Sequence, residues 1–214
     1  MTRLLSKITG IAALTLALQG CAYNLRGTPD ENEVLRNKNN AVLDNFFTPA
    51  VAQELKQVPV HYATFDYDQM VGGAVLSGFR AMLAGVGYES ITVFNIEKKG
   101  KIKGEVMLHE NIHHAQQKGR ISRDEFNAAW RDLQTTKSGT YVCKSINTLI
   151  HLKYGFLSSE DDLVDERMAF MPYYVLKYPD SISERMKRLY AGTLQSWVLS
   201  NEPINSRHLN LLEK

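Results

Sequence analysis

Three of the six histidines of this 214-residue chain stand close together, in the segment V-M-L-H-E-N-I-H-H of residues 106–114. Apolar residues recur in this segment at helical spacing and predict a helix over 106–117 with one face toward a core. These residues are Met107, Leu108 and Ile112. His109 and His113 then lie one turn apart on a shared face. Any fold of this chain must bury one side of this helix and leave room for two imidazoles on another.

His109, Glu110 and His113 form the pattern H-E-x-x-H, which is the arrangement that a zinc hydrolase needs. Two neutral imidazole nitrogens can bind one zinc ion and leave a position open for water. The carboxylate of Glu110 can reach that water without binding the metal, and it can take the water's proton. The sequence therefore predicts a zinc site with His109 and His113 as ligands and Glu110 as general base.

With this motif the chain resembles the zincin metallopeptidases, whose branches differ in the third metal ligand. The metzincin pattern requires Gly and then His or Asp at two downstream positions, where this chain has Gln116 and Gly119. The gluzincin pattern, in which a Glu of a later helix completes the site, is similar to D-E-R-M-A at residues 165–169. The resemblance implies that Glu166 is the third ligand and that Ala169 is the small residue against the active-site helix.

Other residues compete with Glu166 for this role. The stretch 160–166 is acidic, and an acidic stretch behind a capping serine is also typical of a solvated helix start. Glu160, Asp162 and His151 are the other candidates for the third ligand. The sequence alone leaves this choice open.

The resemblance further implies an electrophile beyond the third ligand, which stabilises the oxyanion formed during hydrolysis. Tyr173 and Tyr174 follow Glu166 at a suitable distance and are expected in this role, with plain packing of the two rings as the alternative. The implied substrate is a protein or peptide that binds in extended form along an edge strand.

The pattern of the rest of the chain fits the layout that the resemblance implies. Alternating and β-branched residues predict strands over 58–67 and 90–96. An apolar stretch rich in small residues predicts a buried backing helix over 69–83, and a later helix is expected to stop at Pro172. The predicted fold class is α+β and zincin-like: a small mixed sheet with a backing helix and an active-site helix, followed by a mostly helical C-terminal part.

The N-terminus indicates export. Arg3 and Lys7 precede an apolar run over 8–18 that is too short to span a bilayer. The run ends in L-Q-G-C, which resembles a bacterial lipobox and implies cleavage before Cys21 with a lipid on its thiol. Ala22 follows the cysteine, and the resemblance then implies the cell envelope, at the periplasmic face of the outer membrane.

Removal of the signal changes the charge of the chain. Residues 1–20 hold two of the 25 Lys and Arg residues and none of the 23 Asp and Glu residues, so the remaining chain has no net formal charge. A neutral chain gives no electrostatic basis for nucleic-acid binding, and no nucleic acid is expected as a partner. Of the two cysteines, Cys143 then stands alone in apolar surroundings, where an inert buried thiol is expected.

Three units are predicted: a lipoprotein signal peptide over 1–20, a polar tether over 21–40 and a zinc metallopeptidase-like domain over 41–214. The predicted function is peptide-bond hydrolysis by a zinc enzyme that a lipid anchors to the membrane. Two hypotheses stand beside it. One is a zinc-binding envelope lipoprotein without catalysis that acts as a binding or scaffold module, and the other is a metal-free protein in which H-E-x-x-H is accidental.

Overall fold

The computed structural model describes residues 29–58, 60–63, 73–77, 90–95, 103–153, 159–202 and 204–213. The signal peptide predicted over 1–20 and the lipid attachment at Cys21 lie outside these residues. The helices are α1 (Pro29–Phe46), α2 (Pro49–Leu55), α3 (Gly104–Gln117), α4 (Arg123–Leu133), α5 (Lys137–Lys153), α6 (Glu160–Lys177), α7 (Glu184–Tyr190) and α8 (Ser206–Glu213). The strands are β1 (Val60–Ala63), β2 (Gly73–Ser77) and β3 (Ser90–Asn95). Within the described chain, no helix is both long and apolar enough to cross a membrane.

Helix α1 belongs to the folded domain. It carries buried residues at helical spacing, among them Leu35 and Asn39. The Nδ2 of Asn111, on α3, donates a hydrogen bond of 2.7 Å to the Oδ1 of Asn39. The tether predicted over 21–40 is therefore wrong from residue 29 onward, because a polar composition concealed a helix with one buried face.

The three strands form a small sheet in the order β1-β3-β2. Strand β1 is parallel to β3, and β2 is antiparallel to β3, with Val75 opposite Thr92. Strand β1 lies beside α1, and β2 lies beside α3. Strand β2 falls inside the segment 69–83 that was predicted as the backing helix. Glycines at three positions of that segment lower its helix propensity, and pairing with β3 satisfies its backbone instead.

The α+β, zincin-like fold class predicted from the sequence is wrong, because the described residues are mainly α-helical. The backing helix that a zincin-like layout requires is replaced by β2 at the expected position. The hydrophobic core lies between the helices, and its largest fully buried side chains include Phe46, Phe126 and Tyr190. Helix α3 lies inside this core, in contact with α1, α6 and α8.

Helix α6 continues through Pro172, where the sequence predicted a stop. Proline has no N–H, so the carbonyl of Met168, four residues earlier, lacks its helical donor. The hydroxyl of Tyr190, at the end of α7, donates a hydrogen bond of 2.8 Å to that buried carbonyl. The helix therefore passes the proline without leaving a buried acceptor unpaired.

Two glycines allow α3 to pack and to end as it does. A Cβ on Gly104 would lie 2.0 Å from the carbonyl oxygen of Leu211, so only glycine lets α8 cross the start of α3 this closely. Gly119 has a φ of 68° and follows the end of α3 in the left-handed conformation that glycine adopts without strain.

Candidate metal centre

Helices α3 and α6 supply the candidate site. Gln116 of α3 contacts Asp165 of α6, whereas the ring of His109, two turns earlier on α3, contacts Phe170 further along α6. The contacts run in opposite order along the two helices, which are therefore antiparallel. The face of α3 that carries both histidines of the motif is turned toward α6.

His109, His113 and Glu166 meet at one point between these helices. The two Nε2 atoms are 3.1 Å apart. The Nε2 of His109 is 3.2 Å from the Oε2 of Glu166, and the Nε2 of His113 is 3.4 Å from its Oε1. Nitrogen and oxygen ligands about 2.0–2.1 Å from a tetrahedral zinc ion lie roughly 3.4 Å from one another. The spacing of these three atoms fits that geometry.

Burial and hydrogen bonding also fit a cation. The Oε2 of Glu166 is buried and makes no hydrogen bond, although it faces the Nε2 of His109. A cation placed among the three ligand atoms would bind this oxygen directly. Two imidazoles and one carboxylate are a donor set that zinc prefers in open sites.

The electrostatics keep Glu166 ionised, as a metal ligand must be. Burial disfavours the carboxylate, but the imidazoles of His109 and His113 outweigh that penalty and lower the pKa of Glu166 to about 2. Burial likewise disfavours a charged His113, but Glu166 outweighs it and raises the pKa of His113 to about 9. Without a metal, Glu166 is therefore ionised and His113 is protonated at neutral pH, and a metal would displace the proton of His113.

The competing third ligands lie elsewhere. Glu160 forms an ion pair of 2.6 Å with Arg167, and Asp162 accepts a hydrogen bond of 2.6 Å from the hydroxyl of Ser159. His151 is exposed on α5. In the part of the chain that the structure describes, the group with metal-like spacing is His109, His113 and Glu166.

A pocket of about 330 Å³ opens beside the ligands. The predicted catalytic residues Glu110, Tyr173 and Tyr174 line it together with His109 and Ala169. Glu110 is almost fully buried there. The rest of the wall is mainly apolar, with Val106, Leu108, Leu149 and Phe170 beside the charged Glu105 and Lys177.

The aromatic wall of the pocket contains contacts that sequence reasoning missed. The ring of Phe170 lies 4.3 Å from the ring of His109. The ammonium of Lys177 lies over the rings of Tyr173 and Tyr178, at 5.6 and 5.5 Å. Burial raises the pKa of Tyr174 above its usual range. Helical spacing of 170, 173, 174 and 177 behind Glu166 is the signal that could have placed these side chains on one side of α6.

Gln116 also contacts a candidate ligand, and the H-E-x-x-H motif does not include it. Its Oε1 is 2.9 Å from the Nδ1 of His113, and its Nε2 donates a hydrogen bond of 3.1 Å to the carbonyl of Asp165. The spacing i to i+3 from His113 places an amide beside the imidazole on any helix. This spacing could have identified Gln116.

Comparison with known proteins found no relative of this chain. No protein-family model matches the chain, and no curated protein or solved structure matches it either. Function must therefore be inferred from the site itself.

Proposed function

We propose that this chain is a zinc-dependent metallopeptidase that hydrolyses peptide bonds in a bacterial cell envelope. The observation that carries this proposal is the convergence of His109, His113 and Glu166 beside a pocket that Glu110 lines. The three ligand atoms come from two helices and from positions up to 57 residues apart in the printed sequence. A chance H-E-x-x-H would not require a distant carboxylate to face both imidazoles.

A zinc ion held by these residues would supply a Lewis acid and a water that ionises near neutral pH. The protein's part is to supply three ligands and leave a position open. Three protein ligands with one open position are typical of catalytic zinc sites, whereas structural sites are closed by four.

Glu110 is proposed to move the proton. Glu110 lines the same pocket as His109, and a carboxylate there can accept a proton from the attacking water and then donate it to the leaving amine. Glu110 is almost fully buried, so its carboxylate is largely removed from bulk solvent.

Tyr173 and Tyr174 are proposed to stabilise the oxyanion. Both line the same pocket, and a phenol that stays protonated can donate a hydrogen bond to a developing negative charge. The apolar wall around them favours a substrate with an apolar or aromatic side chain next to the cleaved bond.

The envelope location belongs to the proposal as well. It is supported by the basic residues, the apolar run and the L-Q-G-C sequence that ends at Cys21. Labelling of growing cells with a radioactive fatty acid should mark the wild-type protein and not C21S. Equal labelling of both proteins would remove the lipid anchor from the proposal.

The zinc content of purified variants tests the proposed metal ligands. The purified wild-type protein, dialysed against zinc and then against buffer, should retain about one zinc per chain. H113A should lose zinc, and E166Q should bind it at least tenfold more weakly. H151A and E160Q are matched controls because they remove the competing candidate ligands, and they should bind zinc as the wild type does. A wild type that retains no zinc would contradict the proposal.

Hydrolysis of a mixed peptide library, followed by mass spectrometry, tests catalysis. E110Q should keep its zinc and lose about 10²–10⁴-fold in rate, the usual contribution of a general base. Y173F and Y174F should show which phenol stabilises the oxyanion, at a cost of about 10²–10³-fold. A zinc-loaded wild type that cleaves nothing would favour the alternative of a non-catalytic zinc-binding envelope lipoprotein.

A further inference from the structure

Gln116 connects the two helices that carry the candidate ligands. Its Oε1 contacts the Nδ1 of His113 on α3, and its Nε2 contacts the main-chain carbonyl of Asp165 on α6. Asp165 directly precedes Glu166 in the chain. One side chain therefore touches the imidazole of one ligand and the backbone next to another.

The contact with Asp165 determines which way the Gln116 amide points. A main-chain carbonyl can only accept a hydrogen bond, so the group beside it must be the NH₂ of the amide. The side-chain carbonyl of Gln116 then faces His113, where it can only accept. The Nδ1 of His113 must therefore carry the proton.

This assignment of the proton has a consequence at the other ring nitrogen. Without a metal, the raised pKa of His113 leaves a proton on both ring nitrogens at neutral pH, and zinc would displace the one on Nε2. With the other proton held on Nδ1, the Nε2 then offers its lone pair to the metal. That Nε2 is the atom that faces His109 and Glu166. The hydrogen bond from Gln116 to Asp165 thus fixes the amide of Gln116. The amide fixes the proton on Nδ1 of His113, and the Nε2 is left to bind the metal.

The Asp165 end of this connection is itself held. The Nη2 of Arg123, the first residue of α4, donates to both carboxylate oxygens of Asp165, at 2.7 and 2.8 Å. Both contacts come from one nitrogen and the pair is partly exposed, so it links α4 to α6 without the two parallel hydrogen bonds of a bidentate pair. Asp165, whose backbone carbonyl orients Gln116, is therefore also paired with Arg123 of a third helix, α4.

We propose that Gln116 is the positioning residue of the metal centre, setting the tautomer and the orientation of His113 and holding the turn of α6 that carries Glu166. This inference rests on the proposed zinc site. Hydrogen-bond partners of this kind fix the ring of a ligating histidine and make it more basic, and their loss costs about 10–100-fold in metal affinity.

Zinc affinity of the purified protein, measured by competition with a chelating dye, tests the proposal. Q116A should bind zinc about 10–100-fold more weakly than the wild type. Q116E keeps an acceptor for the Nδ1–H of His113 but loses the donor to Asp165, and it should bind zinc at least threefold more tightly than Q116A. Q117A is the matched control, since Gln117 is the exposed neighbour of the same residue type, and it should stay within about twofold of the wild type.

Several outcomes would overturn the proposal. If Q116A binds zinc within threefold of the wild type, Gln116 does not position a ligand. If Q116A and Q116E are equally weak, the acceptor at His113 is not what matters. Urea unfolding of each variant with EDTA present separates a loss of affinity from a loss of fold. A wild type that binds no zinc defeats the proposed function and this inference together, whereas a zinc-binding wild type with an unaffected Q116A defeats only this inference.

Discussion

The hydrogen bond from Tyr190 to the carbonyl of Met168 gives a sharp test of how α6 tolerates Pro172. The phenol of Tyr190 is fully buried. The carbonyl of Met168, which accepts its hydrogen bond, has no helical donor because residue 172 is proline. Substitution of Tyr190 by Phe keeps the ring and its packing but leaves the carbonyl unpaired. A buried acceptor without a partner costs about 1–3 kcal/mol, so we expect Y190F to destabilise the protein by that amount.

The coupling between Tyr190 and Pro172 can be tested in a P172A background. In P172A, residue 172 regains an N–H that can donate to the Met168 carbonyl, as in an ordinary helix. Y190F should therefore cost at least about 0.5–1 kcal/mol less in the P172A background than in the wild type. A double-mutant cycle isolates this coupling from the separate cost of losing the proline ring.

Urea unfolding followed by circular dichroism, with EDTA present to keep the metal content equal, measures all four proteins. Y141F is the matched control, because Tyr141 is exposed, and it should change the free energy of unfolding by less than about 0.5 kcal/mol. A cost of Y190F that is the same in both backgrounds would refute the explanation, since it would mean that the hydroxyl does not replace the missing N–H.

Three further predictions concern the packing around α3 and the free thiol. N111A should destabilise the protein by about 1–3 kcal/mol in urea unfolding, because it leaves the buried Oδ1 of Asn39 without its donor, and a cost that persists unchanged in N39A would contradict this. G104A should cost at least about 1–3 kcal/mol and expose α8 to limited proteolysis, since its Cβ would meet the carbonyl of Leu211; unaltered proteolysis would argue against this contact. Burial raises the pKa of Cys143 to about 11, so the native thiol should react slowly with Ellman's reagent at pH 8, faster as the pH approaches 11 and fully in denaturant, whereas fast native labelling at pH 8 would show that the thiol is accessible.

The candidate site was more accessible to sequence reasoning than the fold was. A helix over 106–117 follows from local spacing, and the structure has it over Gly104–Gln117. The meeting of Glu166 with His109 and His113 was predicted by resemblance and is present in the geometry, although no local property of the chain demands it. The buried thiol of Cys143 was also predicted from its apolar neighbours and is confirmed.

The errors have physical causes that a single sequence does not display. The segment 69–83 was assigned to a helix from its apolar spacing, but pairing with β3 determines the structure at β2. Residues 29–40 looked like a linker because most of them are polar, and the burial of Asn39 depends on an amide partner 72 positions away. The stop expected at Pro172 failed because Tyr190 supplies the missing donor from another helix. In each case a long-range contact outweighed a local preference.

The start of α1 at Pro29 limits where this protein can work if Cys21 carries a lipid. The chain from residue 21 to residue 29 spans at most about 30 Å when it is fully extended, whereas a tether running to residue 40 would have more than doubled that reach. The distance from the bilayer surface to the start of the folded domain therefore has a short upper bound. The pocket beside His109, His113 and Glu166 would then lie within this distance plus the extent of the folded domain itself.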